Sequence, residues 1–360
     1  MKVIDFKNAS CKHCYKCVRS CSVKAIKVKD AQATIMDDHC VLCGTCLEVC
    51  PQNAKTFVSD LEKVRAFITM GEKTIVSLAP AYLGIFDYDK PGQVVDALLR
   101  LGFSVVRESA EGAAYVTEAY TKLLEAGQMK NIISTCCPSV NELVEKYYPE
   151  LVEDMAPVVS PMVAHGKLIK AMYGPDVKVV FVGPCIAKKN EADKNPSLID
   201  VSLTFHEAAQ WFEQENIVLG QIDADEDVKF VPKKAYEGAY YPIEGGMNKT
   251  IRLSGCAKDI QLVSISSIPA FRDSLQNLDD SKIDRTIFLE ALACPGGCAN
   301  GPCMDSSKPG VLAMSDILRT VKLRDDIPSE PEVVVEKEYK ERPQNNRHYT
   351  PEQIAEAMAS

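Results

Sequence analysis

No apolar run in this 360-residue chain reaches the roughly 18 residues that a membrane-crossing helix requires. The opening residues, MKVIDFKNASCKHC, lack the apolar stretch of a secretory leader, so the chain is expected in the cytoplasm, with no membrane partner. A basic excess is missing too. Forty-one Lys and Arg stand against 50 Asp and Glu, a formal charge of −9, which argues against a nucleic-acid partner. The length suggests two or three domains with a sizeable buried core. A composition 46% hydrophobic and 25% charged is that of an ordinary soluble protein.

Cysteine is what the chain has in excess. Of 15 cysteines, eight fall within residues 11–50, two are adjacent at 136 and 137, and three lie between 294 and 303. A cytoplasmic chain of this size does not need disulfides, so metal ligation by thiolates is the economical reading. In residues 1–60 the cysteines repeat after about 29 residues: Cys11, Cys14, Cys17 and Cys21 recur as Cys40, Cys43, Cys46 and Cys50. The spacing C-x2-C-x2-C-x3-C, twice, is the bacterial ferredoxin pattern for two [4Fe–4S] clusters. In that pattern the fourth cysteine of each run serves the other cluster. Cys11, Cys14, Cys17 and Cys50 are thus assigned to one cluster, and Cys40, Cys43, Cys46 and Cys21 to the other. Structural zinc competes, but it explains four thiols per site and not the repeated spacing. Pro51 follows Cys50 as the pattern expects, whereas Ser22 stands where the other proline belongs. So short a stretch cannot build an ordinary apolar core, and metal binding is expected to couple to its folding.

From about residue 61 strands and helices alternate. KTIVSLAPAY (74–83), NIISTCC (131–137) and VKVVFVGPC (177–185) read as strands, and TIFLEALAC (286–294) as a strand or a short helix. GQVVDALLRLGF (92–103) and AAYVTEAYTKLLEAG (113–127) have helical apolar spacing. The fold class is α/β with mixed or mostly parallel sheets, preceded by a small α+β ferredoxin-like module. Three of these segments end at cysteines, and open α/β sheets gather ligands at the carboxyl ends of their strands. Cys137, Cys185, Cys294 and Cys298 are thereby candidates to hold a third cubane. Neighbours on a strand face opposite sides, so if Cys137 ligates, Cys136 is expected to be free for proton exchange. The domains are read as 1–60, 61–323 and a charged tail 324–360. The tail closes on TPEQIAEAMAS, which opens like a helix and suggests that further domains follow.

Three motifs carry a family resemblance: Ser-Thr-Cys-Cys-Pro at 134–138, Gly-Pro-Cys-x2-Lys-x2-Glu at 183–191 and Glu-x-Leu-Ala-Cys-x2-Gly-Cys at 290–298. Over residues 60–320 the chain closely resembles the active-site domain of [FeFe]-hydrogenases. The resemblance implies a two-lobed α/β domain and an H-cluster: a four-iron cluster sharing one cysteine with a two-iron subsite that carries carbonyl, cyanide and azadithiolate. By motif position, Cys137, Cys185, Cys294 and Cys298 would ligate the four-iron cluster, and Cys298 would bridge to the subsite. Cys136 would be the proton-transfer thiol, and Lys188, with Glu191 in the same motif, would donate a hydrogen bond to a cyanide. Ala79, Pro80 and Ala81 would pack over the two-iron unit, and Ser160 and Pro161 match another lining segment. The implied reactants are H2 and protons, and the implied partner is a redox protein or a downstream signalling domain.

The pattern is not complete. Gly183, before Pro184, and Leu292 stand where the family has methionines against the two-iron unit, and no tryptophan follows the first motif. Glu118 matches the inner glutamate of a Glu–Ser–Glu proton relay, but Thr121 and Ala156 stand where its other two members belong. A broken relay predicts slow turnover and a sensory member of the family. Two further readings remain: a hydrogenase-like cluster-assembly protein without the two-iron unit, and an electron-transfer fusion with a structural third cluster. Cys256 is read as structural, and Cys303, five residues past Cys298, as a thiol near the cluster.

Overall fold

The β-branched runs of the central chain form two parallel sheets. In the computed structural model, residues 3–6, 10–224, 237–255, 260–275, 278, 285–304, 310–321 and 333–337 are described. Near the amino terminus, β1 (Ile4–Phe6) pairs antiparallel with β4 (Lys55–Phe57), and β2 (Ile26–Lys29) with β3 (Gln32–Ile35). The first large sheet holds β5 (Thr74–Leu78), β6 (Val105–Glu108), β8 (Lys178–Gly183) and β9 (Val201–Thr204), in the order β6-β5-β8-β9, all parallel. The second holds β7 (Asn131–Ile133), β10 (Gln261–Ser266) and β11 (Ile287–Leu292), in the order β10-β11-β7, again parallel. Strands β5 and β11 are buried at every position. That is why they read as unbroken apolar runs rather than as alternations. Residues 287–292 are therefore strand, and the helical alternative for this segment falls.

Helices Gly92–Arg100, Ala110–Ala126, Pro138–Tyr147, Pro161–Tyr173 and Phe205–Gln214 cover the sheets. Their starts follow local chemistry. Ser160 accepts from the Val163 amide, and Thr204 and Glu207 close a reciprocal capping box. Helix 110–126 ends at Gly127 with φ 62°, a conformation glycine adopts without strain.

The amino-terminal module is built differently. Its two short helices, Lys16–Ser20 and Thr45–Glu48, each begin inside a cysteine run and bury no residue. Its small apolar cluster, Val3 and Ile4 with half-buried Leu42 and Leu47, is completed by Ile186 and Cys303 from the α/β part. The join is tight: a Cβ at Gly44 would meet the Pro302 ring at 2.4 Å.

A described piece of the tail, residues 333–337, also lies on the α/β part. Glu336 bridges antiparallel to Val158, the Val159 amide donates to the Val335 carbonyl at 2.7 Å, and Val335 is buried. The helix expected at 350–360 lies outside the described residues, as does Cys256.

Candidate functional site

The carboxyl ends of strands from both sheets meet at one cavity. Strand β5 delivers Ala79, Pro80 and Ala81; β8 delivers Pro184, Cys185 and Lys188; β7 leads to Cys136 and Cys137; β11 ends in Leu292 and leads to Cys294 and Cys298. All of these line the cavity, together with Met162, Tyr241 and Cys43 of the amino-terminal module. Of the residues singled out in the sequence, Ser160 and Gly183 do not line it. Ser160 caps a helix, and Gly183 lies at the end of β8, where a Cβ would meet the Phe181 ring at 2.5 Å. A methionine there would need Phe181 to move.

Cys136 and Cys137 do not sit on a strand. β7 stops at Ile133, and Cys137 caps helix 138–147 in extended conformation, so strand alternation does not separate them and both thiols border the cavity. The third motif turns on glycine. Gly297 has φ 102°, and a Cβ there would come within 2.4 Å of the Pro242 carbonyl.

Burial dominates the electrostatics. It pushes the Cys136 thiol up to about 12, against a Tyr120 hydrogen bond and the Lys188 charge, and it pushes Cys185 up to about 11. Cys294 is raised by burial and then by Cys298, Cys185 and Cys137, and Cys298 by burial and then by Cys137 and Cys185, so the four thiols stand within electrostatic reach. Lys188 is buried, which favours its neutral form. Glu191, 2.6 Å from Nζ, and the nearby thiols overcome this and hold the ammonium charged. Its Nζ also donates to the Cys136 carbonyl at 3.3 Å. Glu290, fully buried on β11, is raised to about 7 by burial, although the Gly245 and Asn248 amides and the Ser264 hydroxyl donate to it.

Glu118 does not join the site. Its side chain is 62% exposed and pairs with Lys122, because a helix turns about 100° per residue and the inward positions are Thr117, Tyr120 and Thr121. What reaches Cys136 is Tyr120: its hydroxyl lies 3.3 Å from Sγ and accepts from the Thr135 amide at 2.9 Å. Thr117 hydrogen-bonds Tyr241 at 2.8 Å and Thr250 at 3.0 Å, and Thr121 bonds Ser254 at 2.8 Å. Sequence reading missed this hydroxyl set. Its only signal was polar residues on the buried face of an otherwise apolar helix. Cys303 is buried against Ile186 and feels the charge of Cys185 and Glu207.

In the amino-terminal module the eight cysteines are half-buried except Cys14, which is exposed. Backbone amides already point at the thiols: Ala25 at Cys21, Leu42 at Cys40 and Ala54 at Cys50, at 3.2–3.4 Å. Such donors stabilise thiolates, and several of them lower Cys50 despite its burial cost. Among the described residues no three Cys, His, Asp or Glu side chains close on a single ion. Around the cavity the thiols ring a space rather than a point, which suits a polynuclear cluster.

A sequence model described as "Iron only hydrogenase large subunit, C-terminal domain" matches residues 72–302, and one described as "4Fe-4S dicluster domain" matches residues 10–54. The chain belongs to the iron-only hydrogenase family. It is 25% identical to iron hydrogenase 1 of Clostridium pasteurianum, over 79% of this chain and 67% of the relative. It is 28% identical to the periplasmic [Fe] hydrogenase large subunit of Nitratidesulfovibrio vulgaris, over 62% of this chain and 65% of the relative. It therefore spans about two thirds of their lengths. The fold resembles that of a variant of the [FeFe]-hydrogenase HydA1 from Chlamydomonas reinhardtii, with a TM-score of 0.58 at 18% identity over 74% of this chain and 91% of that one. Membership of this hydrogenase family brings with it iron–sulfur clusters and an H-cluster. Among the described residues no helix is long and apolar enough to cross a membrane. One relative is periplasmic by name, so family membership does not restrict hydrogenases to the cytoplasm.

Proposed function

We propose that this chain interconverts H2 with protons and electrons, slowly, in the cytoplasm and in a sensory role. The observation that carries this reading is Cys136. It is a fifth thiol at a cavity lined by Cys137, Cys185, Cys294 and Cys298, held by Tyr120 and adjacent to the charged Lys188–Glu191 pair. The four thiols suit the four-iron cluster, with Cys298 as the proposed bridge, while Cys11, Cys14, Cys17 and Cys50, and Cys21, Cys40, Cys43 and Cys46 suit two more clusters. When bound, the two-iron subsite would supply the redox chemistry by which H2 is made or split. The protein does the rest. Lys188 keeps its charge in a buried setting and offers N–H donors to an anionic ligand. Ala79, Pro80, Ala81 and Leu292 line the cavity with buried apolar surface.

Cys136, with its thiol near 12, stays protonated at neutral pH and can give and regain one proton. Its supply is the slow part. The neighbouring group is a buried tyrosine whose own ionisation is pushed far up, so Tyr120 passes a proton only by taking one as it gives one. Glu118 is turned to solvent beside Lys122, and among the described residues it is Tyr120 that hydrogen-bonds the Cys136 thiol.

The test is an infrared spectrum of the matured protein in the metal carbonyl and cyanide stretching region. Bands that shift under hydrogen would establish the subsite. No bands after maturation, with about twelve irons still bound as three cubanes, would instead favour the cluster-assembly or electron-transfer reading. Turnover at the rate of a fast hydrogenase would sink the sensory half of the proposal.

A further inference from the structure

Residues 333–337 of the tail run extended, with one face in the core. Val335 is buried, Val333 and Lys337 are half-buried, and Val334 and Glu336 between them are exposed. That alternation has the period of a strand, so Val333, Val335 and Lys337 share the inward face. The backbone pairs along 157–159. The Val159 amide donates to the Val335 carbonyl at 2.7 Å, and the Lys337 amide to the Pro157 carbonyl at 2.8 Å. Lys167, on the helix that follows, donates to the Val334 carbonyl.

The other edge of residues 156–159 faces the reactive thiol. The Thr135 hydroxyl donates to the Val158 carbonyl at 2.6 Å and to the Ala156 carbonyl at 3.3 Å. The same hydroxyl lies 3.3 Å from that of Tyr120, which accepts from the Thr135 amide and lies 3.3 Å from Cys136 Sγ. Residues 156–159 thus form one layer, with the tail on one edge and the Thr135, Tyr120 and Cys136 set on the other. A reactive group is held only as precisely as the groups behind it are held.

The tail also brings in a charge. The Lys337 amine is lowered from its ordinary value by burial, against the pull of Glu191 and then Glu145, and it also feels Cys136 and Lys188. Glu191 is the carboxylate 2.6 Å from Lys188 Nζ. A second amine near Glu191 competes for that carboxylate and leaves Lys188 more of its N–H donors for an anionic ligand in the cavity.

We infer that residues 333–337 are a positioning strap for the site: along 157–159 they fix the carbonyls that hold Thr135 and Tyr120 against Cys136, and they set Lys337 beside the Lys188–Glu191 pair. This deepens the proposed function and rests on its reading of Cys136 and Lys188. Val335 and Lys337 act through other residues and are positioning residues.

The test uses the full, iron-loaded chain and amide hydrogen exchange resolved to single residues by mass spectrometry. In Val335→Asp, which puts a carboxylate into the apolar seat, the Val159, Lys337 and Thr135 amides should exchange at least about tenfold faster, while Ile75 and Val76 on β5 stay protected. Val335→Ala should act in the same direction with a smaller effect, and it carries the test if the Asp variant does not fold. Faster exchange at Val159 and Lys337 with Thr135 unchanged would overturn the strap's hold on the site. The second arm is the infrared spectrum of the matured protein. Lys337→Met should shift the cyanide bands with Val159 still protected, and Lys337→Arg should leave them where the parent has them. Parent-like bands in Lys337→Met would overturn the role of Lys337. A matured parent without bands would remove the proposed function, and hydrogen exchange would then decide the strap by itself.

Discussion

The two cysteine-rich regions bring thiols together by opposite routes. In residues 11–50 the eight thiols are gathered by sequence spacing of two and three residues, on loops with almost no apolar core of their own. At the cavity, Cys137, Cys185, Cys294 and Cys298 are up to 161 residues apart and are gathered by the ends of three strands in two sheets. The first arrangement is expected to depend on its metal for shape. The second has its shape from β5, β8 and β11, strands buried in an apolar core of their own. The difference is one of support: the module has little apolar core to spare, while the α/β part holds Cys136 and Cys137 at the edge of a large core.

The sharpest way to break that comparison is to strip the iron with a chelator and follow amide hydrogen exchange. Amides of residues 11–54 should lose nearly all protection, while those of β5, β8 and β9 keep it. Equal loss in both regions would mean that the α/β part also depends on its cluster. Next in size, Cys136→Ala should lower hydrogen turnover at least about 100-fold, the scale of removing a proton donor, with iron content unchanged. Unchanged turnover would remove Cys136 from the mechanism.

A smaller effect is expected of Tyr120→Phe. It removes the hydroxyl that touches the buried thiol and accepts from the Thr135 amide; losing the thiol contact, about 1.4 kcal/mol, should slow turnover about tenfold while leaving iron content and the infrared bands in place. A rate equal to the parent's would mean that protons reach Cys136 by another path. An effect on stability rather than on rate concerns Glu290, whose carboxyl is raised to about 7 in the fold from an ordinary value of 4.5. A raised carboxyl contributes stability that is complete below pH 4.5 and lost as pH rises through 7. The parent should therefore lose up to about 3 kcal/mol between pH 5 and pH 8, relative to Glu290→Gln. Thermal unfolding of both proteins across that range measures it, and parallel curves would show that the three donors to Glu290 compensate fully for its burial.

Much of the site was legible in order along the chain. The eight-cysteine repeat needed only its spacing, and the strands at 74, 131, 178 and 287 announced themselves as apolar runs, the last three leading toward cysteines. Other features were not legible. Glu118 and Thr117 are adjacent and both polar, and only the rotation of helix 110–126 decides that one faces water and the other Tyr241. Cys136 was expected on a strand face away from Cys137, yet the strand ends three residues earlier. Residues 333–337 looked like part of a solvated tail, but their backbone pairs with residues 157–159, whose Val158 carbonyl accepts from Thr135 beside Cys136.

The sequence by itself determined the ligand chemistry. Thiol spacing is a local property, and a loop of two intervening residues wraps a cluster corner whatever surrounds it. Only the tertiary structure decided which side of the module faces outward, which polar groups touch Cys136 and how burial shifts them. These are properties of distance between segments far apart in the chain, and hydrogen bonds and desolvation act through space, not along the backbone.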